Sequence, residues 1–195
     1  MKRLFVVMLC LFGVSIAVHA QSVGVTITFD AGSGIASGSA IQLASFKIGA
    51  VQPQLSLYTG GGASAGKSQF TPLTLYKTID ETTPLLFLDC ALGKLIKGAT
   101  LTVTQNPQQA PVVLFQILLY GVFISSVNDD NTNSDGGPPF ETVTLSYQKI
   151  GWQYTPPGGG NPVNGAFDNV RNIQESWSQL LNQVGISAGS PQIAH

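Results

Sequence analysis

Residues Gly66 to Val103 read GKSQFTPLTLYKTIDETTPLLFLDCALGKLIKGATLTV, and the two changes of period inside them decide the fold. Phe70, Leu73, Leu75 and Ile79 carry the alternation of a half-buried strand up to Asp80. From Thr82 to Gly93 the pattern changes. Thr83 is placed to cap a helix, Pro84 suits its first turn and Gly93 its stop, which predicts one short buried helix. From Ala99 to Thr104 the β-branched alternation returns, so a strand, a helix and a strand follow one another within forty residues.

The same period-2 pattern extends outward on both sides. Upstream, Val23 to Phe29, Ile41 to Ile48 and Gln54 to Tyr58 read as strands. They are separated by small-residue loops at Ala31 to Ala40 and Gly60 to Gly66. Downstream, Val112 to Val127 and Glu141 to Tyr154 are strands, the first long enough to need a bend at Gly121. The expected fold is mainly β: a compact β-barrel of two packed antiparallel sheets, one short flanking helix and a C-terminal amphipathic helix. Leu85, Leu86, Phe87, Leu88, Val103, Leu145, Tyr147 and Trp152 are the expected contacts between helix and barrel.

The chain divides into residues 1–20, a barrel domain at 22–156, a Pro/Gly linker at 157–165, a helix at 166–185 and a tail at 186–195. At the N-terminus, Lys2 and Arg3 precede an apolar run from Leu4 to Val18 and an A-x-A-like site at Val18-His19-Ala20. This is the pattern of a cleavable signal peptide, and the run falls short of the ~20 residues that cross a bilayer. The mature protein is therefore expected to be secreted or periplasmic, without stable membrane insertion. At the other end Phe167, Val170, Ile173, Trp177, Leu180, Leu181 and Val184 recur every three or four residues, between Asp168 and Gly185 as helix boundaries. Asn169, Asn172, Asn182 and Ser176 weaken such a helix. Its stability must come from docking, on its own barrel or on a neighbouring subunit or secreted partner.

Composition narrows the functions. With 9 basic and 10 acidic residues in all, loss of Lys2 and Arg3 leaves 7 against 10, a formal charge of −3. Nucleic-acid binding has no electrostatic footprint there. Loss of Cys10 leaves Cys90 alone, so no intrachain disulfide forms. Gly61 to Ser68 satisfies the phosphate-loop spacing through Gly66, Lys67 and Ser68, but strand-like alternation and Pro72 follow where a helix must begin. Asn128 to Gly136 resembles the first half of a calcium loop, yet Thr142 stands at its twelfth position and Glu141 falls one residue early. Histidines occur only at His19 and His195, which leaves Ser or Cys90 no activating base. The carboxylate pairs Asp80/Glu81 and Asp129/Asp130 read as turn residues. No catalytic, cofactor-binding or metal-binding residue is expected, and the chain reads as no enzyme.

Three stretches together resemble the haemolysin-coregulated protein (Hcp) family, the tube subunit of the type VI secretion system. They are Gly66 to Val103 quoted above, ISSV from Ile124 to Val127, and FETVTLSYQKIGWQYTP from Phe140 to Pro156. The resemblance implies a small barrel with one flanking helix that self-assembles into six-membered rings. Those rings stack into a tube whose lumen accommodates a secreted effector, with a spike protein as a further partner. A signal peptide departs from that family's cytoplasmic assembly. The rival expectation is a monomeric secreted β-barrel module that binds a surface polymer or an envelope protein.

Overall fold

The computed structural model describes residues 22–30, 32–35, 39–52, 67–106, 111–130 and 138–185. The expected signal peptide, the strand at Gln54 to Tyr58, the loop from Gly60 to Gly66, residues 131–137 of the polar loop and the tail at 186–195 lie outside them.

Eleven strands and two helices follow in order among the described residues: β1 (Val23–Phe29), β2 (Ile41–Leu43), β3 (Ser45–Lys47), β4 (Ala50–Val51), β5 (Gln69–Phe70), β6 (Leu73–Thr78), α1 (Thr83–Leu92), β7 (Ile96–Gln105), β8 (Val112–Asp130), β9 (Phe140–Tyr154), β10 (Val163–Asp168), β11 (Ile173–Glu175) and α2 (Trp177–Val184). Nine strands form one antiparallel sheet in the order β11-β10-β9-β8-β7-β1-β2, with β6 joining β3 to β9; β4 and β5 make a separate pair. Ala44 alone separates β2 from β3, and its N–H donates to the Tyr76 carbonyl. Through that bend the sheet wraps back on itself, giving the expected barrel-like fold.

The alternation seen in the sequence is the alternation of burial. Ile27 and Phe29 of β1, Leu73 and Leu75 of β6, Leu101 of β7, Ile117 and Leu119 of β8, and Val143 and Leu145 of β9 fill the interior. Each such side chain removed from water contributes about 1.5–3 kcal/mol. The bend in β8 falls at Gly121, as expected: φ is +64°, and a Cβ there would lie 2.6 Å from the Gln148 side chain.

Helix α1 stands where the sequence placed it, with Pro84 in its first turn and Gly93 left-handed at its end. Two details differ. The cap residue is Thr82, without a side-chain cap bond, because its hydroxyl donates to Asp80 Oδ1 (2.6 Å) while the Thr83 hydroxyl accepts from the Asp80 N–H (3.1 Å). Second, only Leu86 of the four consecutive apolar residues enters the core; Leu85, Phe87 and Leu88 are exposed. One face of a helix lying on a barrel can point inward, and here Thr83, Leu86 and Asp89 occupy it. Leu145 is fully buried, while Val103, Tyr147 and Trp152 pack partly buried against the core.

The C-terminal region departs most from expectation. Instead of a linker at 157–165 and a helix at 166–185, Pro157 to Gly159 form a turn and β10 returns along β9, pairing Val163 with Tyr154 and Asp168 with Lys149. Phe167 belongs to a strand, Asn172 turns at φ +57°, and β11 folds back on β10. Only Trp177–Val184 is helical. Its true start is Ser176, whose hydroxyl accepts from the Gln179 N–H (3.2 Å) while the Gln179 side chain reaches back to the Ser176 N–H: a capping box. Asp168 mimicked this start because a carboxylate that satisfies turn N–H groups has the composition of a cap. The helix docks on its own barrel.

Candidate functional site

The two ends of the barrel are built from opposite chemistry. At the end where Thr78 pairs with Phe140, the inward positions of β6 and β9 become Lys77 and Glu141, directly opposite one another and both fully buried. Lys77 Nζ lies 2.7 Å from Glu141 Oε1 and 2.9 Å from Asp80 Oδ1, and the Thr83 hydroxyl donates to Glu141 Oε1 (3.2 Å). Burial works against ionisation of Asp80, but the Thr82 and Lys77 donors outweigh it and hold its carboxyl below the usual value. Helix α1 lies over this polar plug, closing that end with Leu86 and the partly buried Cys90.

The other end is apolar, and among the described residues no helix lies over it. Ile48, Ala50, Phe70, Phe115, Ile117 and Trp152 are among the residues lining a cavity of ≈ 210 Å³. Phe70 stands over it, its ring 6.0 Å from Trp152 and 5.3 Å from Phe167. The rim follows from the register. Val23 and Val112 both pair with Gln105, and Phe115 and Val163 both pair with Tyr154, so these side chains share the inner side of the sheet at its last rungs. Val23, Val112, Tyr154 and Val163 are exposed there.

On the outer face of the sheet, Leu118, Ala166, Leu180 and Val184 form a second small core with Trp177 packed against it. Two glycines make room for it. A Cβ on Gly151 would stand 2.7 Å from Leu180 Cδ2 and 2.8 Å from the Trp177 ring, and one on Gly98 would stand 2.6 Å from Val184 Cγ1. Beside it, Lys149 of β9 pairs with Asp168 (3.3 Å) and Glu175 (2.8 Å), and Arg171 pairs with the same two carboxylates, at 2.6 Å to Asp168. Burial disfavours the Asp168 carboxylate, yet the Arg171 N–H groups and Lys149 prevail and lower its pKa to about 2.

The residues singled out for chemistry are not brought together. Lys67 and Ser68 precede strand β5, not a helix, and the Ser68 hydroxyl donates to Asn172 Oδ1 (3.0 Å). Asp129 and Asp130 are the last residues of β8. Cys90 is free and half-buried, and both histidines lie outside the described residues. Among the described residues no cluster of His, Cys, Asp and Glu is arranged to hold a metal, and no helix is long and apolar enough to cross a membrane. What the sequence missed was the apolar barrel end and the exposed face of α1.

Residues 32–154, which hold the flanking helix and strands β2 to β9, match the family described as type VI secretion system effector, Hcp. The chain belongs to that family. Protein hcp1 of Pseudomonas aeruginosa is 32% identical over 109 residues, covering 52% of this chain and 65% of its own length. The chain thus spans a little under two thirds of that relative. Among solved structures, Hcp1 from Salmonella typhimurium superposes with a TM-score of 0.63 at 21% identity, over 78% of this chain and 99% of its own. A structure described as a type six secretion system protein gives 0.69 at 17% identity, over 79% and 100%. These Hcp likenesses establish the fold; the family match rests on the sequence.

Proposed function

We propose that this Hcp-family chain is a non-enzymatic structural subunit that assembles into six-membered rings, acting as a tube component or as a detached relative that carries a partner in the ring lumen. The single observation that supports this reading best is the family match from residue 32 to 154, which takes in α1 and strands β2 to β9. Its surface is compatible with that reading: among the described residues the outer side chains of α1 and those at the apolar barrel end are exposed, as contact surfaces of an assembly would be. The chain is exported after loss of residues 1–20 and works outside the cytoplasmic membrane. Native mass spectrometry of the mature chain, together with N-terminal sequencing of the exported form, tests both statements. A mass six times that of the subunit and an N-terminus at Gln21 are the expected results. A clean monomer at every micromolar concentration would overturn the ring and favour the monomeric binding module.

A further inference from the structure

We propose that the polar cavity between β11 and α2 binds a neutral, hydroxyl-rich ligand, a saccharide. The cavity measures ≈ 540 Å³, within the ~300–1,000 Å³ of small-ligand sites, and lies wholly beyond residue 154, where the family match ends. The ring-forming reading neither uses this site nor depends on it.

Gln179, Asn182 and Gln183 stand three and four residues apart on α2, so their carboxamides share one side of the helix. The other side carries Trp177, Leu180 and Val184 into the sheet, where Gly98 and Gly151 make room for them. With α2 seated in that way, the carboxamides line one cavity with Arg171, Ile173 and Glu175, from β11 and the turn before it.

Two atoms of this lining point to a ligand. The Glu175 side chain is only 6% exposed; its Oε1 accepts from Lys149 Nζ (2.8 Å) and from Arg171, while its Oε2 has no hydrogen-bond partner. Gln183 Oε1, also buried, has none either. A buried acceptor without a donor is costly, and two of them beside one cavity call for donor groups on whatever enters it.

Charge decides what kind of donor. Lys149 and Arg171 are matched by Asp168 and Glu175, and Arg171 reaches both carboxylates. The four charges cancel. That leaves neither cation free to take a phosphate or a carboxylate, and both carboxylates already hold cations, which weakens their pull on an ammonium group. Carboxamides are neutral and both donate and accept, the pattern that matches neighbouring hydroxyls on a sugar. Ile173, itself exposed, offers an apolar patch to the C–H face of the ring. Most small-molecule pockets are lined mainly by apolar side chains; this lining is the reverse, so an apolar ligand finds little to hold it.

The test titrates the mature full-length protein by calorimetry with three neutral oligosaccharides, maltohexaose, cellohexaose and N-acetylchitohexaose. Oligogalacturonate and chitosan oligomers serve as acidic and basic counterparts. A neutral probe is expected to bind saturably, one per subunit, and Gln183→Leu and Asn182→Ala should each weaken it about tenfold. Gln183→Leu removes an unpaired acceptor, so its thermal midpoint should equal or exceed that of the wild type, which loss of a merely structural glutamine would not give. Asn182 is exposed, so its variant keeps the test decisive should Gln183→Leu fold poorly. Native mass spectrometry should find both variants in the same assembly state as the wild type. Failure of every neutral probe to bind at millimolar concentration, or binding of charged probes alone, would overturn the proposal. So would saccharide binding that both variants keep in full.

Discussion

The barrel and the C-terminal β10–β11–α2 unit share one sheet and are held by different means. Inside the barrel, branched aliphatic side chains from five or more strands interlock, and its cohesion is that of a filled core. The C-terminal unit rests on a small apolar core, where Ala166, Leu180 and Val184 meet Leu118 of β8, and depends on two bare glycine surfaces and a four-membered charge cluster. The first arrangement tolerates no missing volume, the second no added volume. The appendage should therefore come off without the barrel unfolding, and the following variants, from largest to smallest effect, are chosen to break that distinction.

Leu145→Ala, at a fully buried position, should cost about 2–5 kcal/mol and unfold both regions together, seen as one transition by circular dichroism and fluorescence. Gly151→Val should cost about 2–3 kcal/mol by driving a side chain into Leu180 and Trp177. Its signature is a red-shifted Trp177 emission with the barrel's own melting transition retained; loss of the whole fold would mean that the appendage is not separable.

Asp168→Asn should cost about 2 kcal/mol at neutral pH, because Arg171 and Lys149 lose a buried partner. The acid behaviour carries the sign. With a folded pKa of about 2, below the ordinary 3.8, the carboxylate stabilises fully above roughly pH 4, and this contribution disappears as pH falls through about 2. Urea midpoints measured from pH 5 to pH 2 should fall for the wild type and fall less for Asp168→Asn. Ser176→Ala should remove the cap of α2 for about 1 kcal/mol, read as earlier fraying of the Trp177 signal. Phe87→Ala, at an exposed position of α1, should leave the isolated subunit within about 0.5 kcal/mol of wild type. A large loss there would return Phe87 to the core, where its sequence neighbours first suggested it belonged.

The barrel was legible because most of its strands have a dry side and a wet side, which alternation records directly; β8 is dry on both sides only around Leu118, beneath α2. The limits of α1 were legible through Pro84 and Gly93, but its orientation was not, since apolar residues on all sides give periodicity nothing to distinguish. In the C-terminal region Phe167, Val170 and Ile173 matched helical spacing by coincidence, while Asn172 at positive φ and the turn at Asp168 are set by contacts with β9. The glycines of β7 and β9 carried a usable signal: a glycine inside a strand marks the close approach of another element, and Gly98 and Gly151 are where α2 lies. Lys77 and Glu141 carried none, for the pair exists only after β6 has found β9.

That pairing of β6 with β9 has its counterpart in β1, which pairs with β7 across the whole of the intervening chain, Phe29 meeting Ala99. Neither early strand reaches its main partner until synthesis has passed far beyond it, and contacts so distant in sequence make folding slow. The barrel therefore closes late, β6 remaining without its longest neighbour until β9 is available to pair with it.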